Sequence, residues 1–286
     1  DDTAKLAVIN PLVDFDTDPL ATSSTGEFTE LTPGYYLVRD KVGSLDGTNE
    51  SYTLYVVEVV NDYLQITPKV GVPTTEKKIL DGEPQTPVDT NEASIGDTVT
   101  YQITGTMPEN IADYKTYYYV FTDTLSAGLT FNNDVKVTVN KVDVTDYFYA
   151  APETKDPNVV TSTTIVIGIE DIKALTLLNL EGLAEITKDT EVVVTYTATL
   201  NEHAVIAGAG NPNDVLLDYS NDPNHSGDGS TTPPENPPKP KPEHPTGKTP
   251  KDEVVTFTTE LAILKTDEAG EILEGAEFTL TGDNVK

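Results

Sequence analysis

The chain of 286 residues and 30.9 kDa is long enough for about two domains with cores of their own. Its 48 Asp and Glu against 18 Lys and Arg leave a net charge of −30, which repels phosphate backbones and anionic lipid headgroups and argues against nucleic-acid and membrane-surface partners. The absence of cysteine removes disulfides, thiolate metal sites and Cys nucleophiles together, and no apolar run reaches the roughly 18 residues of a membrane span.

Residues 1–69 hold three or four short strands, Tyr35-Tyr-Leu-Val38 and Tyr52 to Val60 among them, and read as a partial β module. With Asp1-Asp2-Thr3 at its start and its one Met at 107, the chain reads as a processed or trimmed fragment. Asp14-Phe-Asp-Thr-Asp18 has the opening spacing of a calcium loop, but Pro19 stands where that loop needs Gly and Thr25 where it needs Glu. It is read as a solvated acidic turn, and no metal site is expected.

Period-two alternation dominates residues 70–221: Asp97 to Ile103, Val135 to Val139 and Glu191 to Leu200 are strands rich in Val, Thr and Tyr. Turn chemistry such as Asp81-Gly82 and Asn132-Asn133 separates them at the spacing of an all-β sandwich. Glu170 to Leu180, with Ile172, Leu175 and Leu178 at helical spacing, is the one helix expected. Nine prolines between 222 and 251 make 222–252 a semi-rigid linker or a long surface loop. Residues 253–286 then open a further β module, with strands expected near 254–265 and 276–281.

Enzyme signatures are missing. His203, His225 and His244 are scattered, and no phosphate loop, dinucleotide fingerprint or zinc-protease motif occurs, so neither multiple-turnover catalysis nor a cofactor is expected. Polar residues on inward faces say more. Asn221 follows Val215, Leu217 and Tyr219 on one face of a strand, Asp123 lies between Phe121 and Leu125, and Glu76-Lys77-Lys78-Ile79 must turn one lysine inward. If Ile79 is buried that lysine is Lys77, with Lys78 the alternative. Burial lowers an amine's pKa and raises a carboxyl's, so a neutral lysine could attack the asparagine carboxamide while a protonated aspartic acid polarises it. Ammonia would leave, and an isopeptide bond would remain.

These segments, Gly34 to Val38, Pro73 to Gly82, Ala93 to Tyr101, Phe121 to Leu129 and Tyr219 to Pro223, resemble the major or backbone pilins of Gram-positive bacteria, which sortases join into covalent pili. The resemblance implies tandem immunoglobulin-like β-sandwiches, with residues 70–221 as a Cna-A-like domain whose bond joins Lys77 to Asn221 with Asp123 as the acid. Leu261 to Leu280 is similar to the opening of a Cna-B domain, which would make Lys265 a second bond-forming lysine. Leu64-Gln-Ile-Thr-Pro-Lys69 is similar to the pilin motif, with Thr67 where Tyr is usual, and implies Lys69 as the sortase acceptor. The function implied is a pilus shaft subunit, extracellular and attached to the cell wall. Its partners would be other pilin subunits, joined by a pilin-specific sortase, with host-surface ligands an additional class. The alternative is an ancillary pilin or wall-anchored adhesin.

Overall fold

A computed structural model describes residues 18–66, 71–153, 161–259, 264–275, 277 and 279. Among these, the first module carries β1 (Glu27–Thr29), β2 (Gly34–Arg39), β3 (Leu54–Val59) and β4 (Tyr63–Gln65). Antiparallel pairing of β1 with β4 and of β2 with β3 makes two small sheets.

Alternating residues build the middle of the chain into a sandwich of two seven-stranded sheets. Its strands are β5 (Thr75–Asp81), β6 (Thr86–Val88), β7 (Thr90–Glu92), β8 (Thr98–Thr106), β9 (Tyr119–Leu125), β10 (Leu129–Phe131), β11 (Lys136–Val139), β12 (Val142–Asp143), β13 (Tyr149–Pro152), β14 (Thr163–Ile169), β15 (Glu191–Leu200), β16 (Asn211–Ser220), β17 (Thr246–Lys248) and β18 (Asp252–Phe257). One sheet runs β12-β11-β15-β8-β5-β6, with β10 added to β15, and the other runs β13-β14-β9-β16-β18-β7, with β17 added to β16. The middle of the chain is an all-β sandwich, as its periodicity implied.

The period of two explains the core. Val99, Tyr101 and Ile103 of β8, alternate residues of β15 from Val192 to Leu200, and Val215, Leu217 and Tyr219 of β16 all point between the sheets with almost no exposure. Tyrosine fills the space that a tryptophan-free sequence leaves to it: Tyr101 stacks on Tyr196 at 5.4 Å, and Phe131 meets Tyr196 edge-on.

Two expectations change and a third narrows. The sandwich does not end at residue 221, because β18 pairs with both β16 and β7 and buries Val254, so the strand assigned to the following module completes this one. The proline-rich stretch is the surface loop of the two options: Asn236 donates its N–H to Asp146 O at 2.7 Å, Lys239 pairs with Glu153 at 2.7 Å, and the chain returns as β17 onto β16. Prolines suit this path, since a segment that joins no ladder loses nothing with its N–H groups. The expected helix over 170–180 is a 3-10 helix, Ile172–Leu178, whose cap Asp171 accepts from Lys173 N and which ends at Asn179 with φ 53°. Asn tolerates that left-handed backbone better than most residues do, so the turn terminates there.

If β18 completes the sandwich, a chain ending at Lys251 should lose cooperative thermal unfolding, whereas one ending at Thr259 should melt as the full chain does. Circular dichroism melting distinguishes the two, and equal melting of both would return β18 to the next module.

Candidate functional site

Lys77 lies on β5, opposite Ile103 of β8, and like its neighbour Ile79 it has no exposure. Lys78, on the other face, reaches Asp89 at 2.6 Å and Glu76 at 3.2 Å near the surface. The inward side chain crosses to the opposite sheet, where its Nζ bonds Asp123 Oδ2. Asp123 sits mid-strand on β9 between its ladder partners Ile165 and Val215, and it too is fully buried.

The carboxamide at this pair is Asn213. Tyr196 OH accepts from Lys77 Nζ at 3.0 Å and from Asn213 Nδ2 at 2.7 Å, and donates to Asp123 Oδ2 at 2.9 Å, so one phenol oxygen gathers amine, amide and acid. Asn213 pairs with Leu125, one inward step along the ladder from Asp123 and its partner Val215. The rings of Tyr101 and Tyr196 wall the amine, with centroids 5.5 and 5.2 Å from Nζ. Two buried oxygens at the site lack a hydrogen-bond partner: Asp123 Oδ1 and Asn213 Oδ1.

Burial dominates the electrostatics. It pushes the Lys77 amine below its ordinary pKa against the opposing pull of Asp123, and it pushes the Asp123 carboxyl up against the opposing pull of Lys77. Both shifts favour the uncharged pair, an amine beside a carboxylic acid. Desolvation also holds the Tyr196 hydroxyl protonated far above neutral pH.

Asn221, expected to complete the trio, lies eight residues beyond Asn213, just past the last residue of β16, at the end of the sandwich. Since ten residues of a strand span about 33 Å, it is far from Lys77, although it shares the inward face. There it binds the first module. Its Nδ2 donates to Leu45 O at 3.1 Å and Glu50 O at 3.3 Å, while its backbone carbonyl accepts from Tyr52 N at 2.6 Å and Ser51 Oγ at 2.9 Å. Gly47 N donates to Thr246 O and Lys248 N to Thr48 O, both at 2.8 Å, so the same segment also docks on β17. Glycine is required at 247, because a Cβ there would stand 2.7 Å from Thr48 O. The pairing of Lys77 with Asn221 is therefore corrected: the period-two argument chose the right face and the wrong position. Asn213 has the same parity as Asn221, and extending the alternation upstream of Val215 would have exposed it as a second inward amide.

Lys69 lies outside the described residues, as do Asp14 to Thr17. Lys265 is exposed, its carbonyl accepting from Leu273 N at 2.9 Å, and the Leu261 and Ile263 that were to share its face are outside the described residues. Among the described residues no group of three or more His, Asp or Glu is placed to hold a metal ion.

Residues 95–223 match the family model of Gram-positive pilin backbone subunit 2, Cna-B-like domain. The resemblance to backbone pilins is borne out over this stretch, although the matched description is Cna-B-like and the sequence resemblance was to Cna-A. It spans Asp123, Tyr196, Asn213 and Asn221, and begins after Lys77. Similar solved structures include the major pilin SpaD of Corynebacterium diphtheriae, 20% identical over 84% of this chain and 50% of that one with a TM-score of 0.48. The T6 backbone pilin of Streptococcus pyogenes is 17% identical over 73% of this chain and 43% of that one, TM-score 0.44, and the pilus backbone RrgB of Streptococcus pneumoniae is 26% identical over 54% and 32%, TM-score 0.36. The chain thus spans half or less of the length of these pilins. Comparison with curated protein sequences finds no match.

Replacing Asn221 by Ala removes two side-chain bonds to the 45–50 segment, each contributing about 1 kcal/mol. Amide hydrogen exchange in residues 45–52 should quicken roughly tenfold or more while exchange in β8 and β15 stays unchanged; unaltered exchange at 45–52 would deny Asn221 the docking role.

Proposed function

We propose that the chain is a structural subunit of a covalent Gram-positive pilus shaft, outside the cell, whose middle domain closes an isopeptide bond between Lys77 and Asn213. The observation carrying this reading is the convergence of amine, carboxyl and carboxamide on one buried hydroxyl. The family match over 95–223 supports the pilin assignment.

The chemistry follows from the burial. Lys77 gives a proton to Asp123, leaving an uncharged amine and an acid in a dry core, where the charged forms are costly. The amine attacks Asn213 Cγ. The proton, received at Oδ2 from Lys77 and turned toward the carboxamide by rotation of the carboxyl about Cβ–Cγ, would be donated to Asn213 Oδ1, an oxygen that lacks a partner, and that bond would strengthen as the carbonyl oxygen gains negative charge. Collapse expels ammonia and leaves a Lys–Asn amide. The reaction happens once per molecule, so the protein is its own substrate and no enzyme.

A bond from β5 to β16 ties a strand near the start of the sandwich to one near its end, across both sheets. Closing the roughly 137 residues between Lys77 and Asn213 stabilises the fold by about 5 kcal/mol on the chain-entropy estimate. Such a staple needs no oxidant, which suits a cysteine-free chain working outside the cell. Subunit joining is assigned to Lys69, which follows Pro68 in the stretch between β4 and β5. Polymerisation there requires a sortase to supply the acyl group of the next subunit.

Asp123→Ala should retain the ammonia by intact mass and melt roughly 10–20 °C lower than wild type from loss of the cross-link alone. An Asp123→Ala protein that still loses ammonia would assign the acid role elsewhere. Lys69→Ala should abolish high-mass covalent polymers in cells carrying the cognate sortase while leaving the melting temperature unchanged; polymers that persist would place the acceptor at another lysine.

A further inference from the structure

Resting on the Lys77–Asn213 reading, we propose that Tyr196 is a catalytic residue of the bond-forming reaction, its hydroxyl carrying the proton from the attacking amine to the departing ammonia. A phenol has one hydrogen to donate and two lone pairs to accept with, and Tyr196 uses all three on the reacting groups: it accepts from Lys77 Nζ and Asn213 Nδ2, and donates to Asp123 Oδ2. The nucleophile and the leaving group are therefore held on the same oxygen before any bond changes.

Amide exchange needs such a group. When Nζ bonds to Cγ it must lose a proton, and Nδ2 must gain one before it can leave as ammonia. With the amine, acid and amide all closed off from solvent, the hydroxyl oxygen takes the proton from Nζ and passes its own to Nδ2. The Nζ–Cγ bond forms, the Cγ–Nδ2 bond breaks, one N–H is lost, one is gained, and the tyrosine ends unchanged. Asp123 sets the timing. Once it has taken the proton from Lys77 and its carboxyl has turned the O–H toward Asn213 Oδ1, the oxygen left facing Tyr196 is a carbonyl oxygen and a weaker acceptor than a carboxylate, which releases the hydroxyl hydrogen toward Nδ2. The ring is held for this by its stack on Tyr101 and its edge contact with Phe131.

Tyr196→Phe keeps the ring and deletes the hydroxyl. The full chain, made by cell-free synthesis and sampled over time by intact mass, should lose its ammonia at least about 100-fold more slowly than wild type, the usual worth of a positioned proton-transfer group. Tyr119→Phe is the control: it removes another fully buried core hydroxyl, one that donates to Thr106 O at 3.0 Å, and should react at the wild-type rate. A Tyr196→Phe protein that reacts as fast as wild type overturns the assignment. So does equal slowing by Tyr119→Phe, which would mean a loosened core, and so does a Tyr196→Phe chain that fails to fold by circular dichroism, which would make the hydroxyl a requirement of the fold. If wild type itself never loses ammonia, the Lys77–Asn213 reading fails and this inference with it.

Discussion

A lysine ammonium and an aspartate carboxylate sealed between two β-sheets carry a desolvation cost that one ion pair offsets only in part. Lys77 and Asp123 are placed so, without exposure, walled by Tyr101 and Tyr196. Moving one proton between them removes both charges, and what remains is a nucleophilic amine beside a carboxylic acid. The stability problem and the reactivity are one feature. A covalent bond formed there, as proposed, would end the conflict permanently, because an amide in the core carries no charge.

The rest of the sandwich serves that placement. β5 and β9 lie in opposite sheets, so Lys77 and Asp123 can meet only because the layers face each other across the core. β18 fastens the site from outside: Asp252 Oδ2 accepts from the backbone N of Lys77 at 2.6 Å and Asp252 pairs with Val215, tying the lysine's strand to the strand bearing Asn213. At the far end of β16, Asn221 and β17 grip the first module. One strand thus carries Asn213 near its start and leads at its end into the contact with the first module, so a cross-link at Asn213 would lie on the strand that the first module grips.

Much of this is legible in the sequence, since alternation along Tyr119–Leu125 turns Asp123 inward and alternation along Thr75–Asp81 turns one lysine inward, Lys77 rather than Lys78 once Ile79 is known to be buried. What alternation cannot supply is depth. Asn213 and Asn221 have the same parity, and only the register of β16 against β9, with Val215 opposite Asp123, tells which amide reaches the acid. The membership of β18 was hidden for a similar reason: Asp252–Phe257 alternates as any strand does, and the proline-rich loop before it has the composition of a linker. Tyr196 alternates as any inward residue of β15 does, and a hydroxyl's partners belong to the assembled layers and leave no trace in the order of residues.

Peptide mapping of the wild-type chain tests the central claim most directly. The account predicts a branched species in which the peptide containing Lys77 is joined to the one containing Asn213, lighter by one ammonia than the two separate peptides, with Asn221 recovered as an unmodified amide. Recovery of a free Lys77 amine together with an intact Asn213 carboxamide would contradict it.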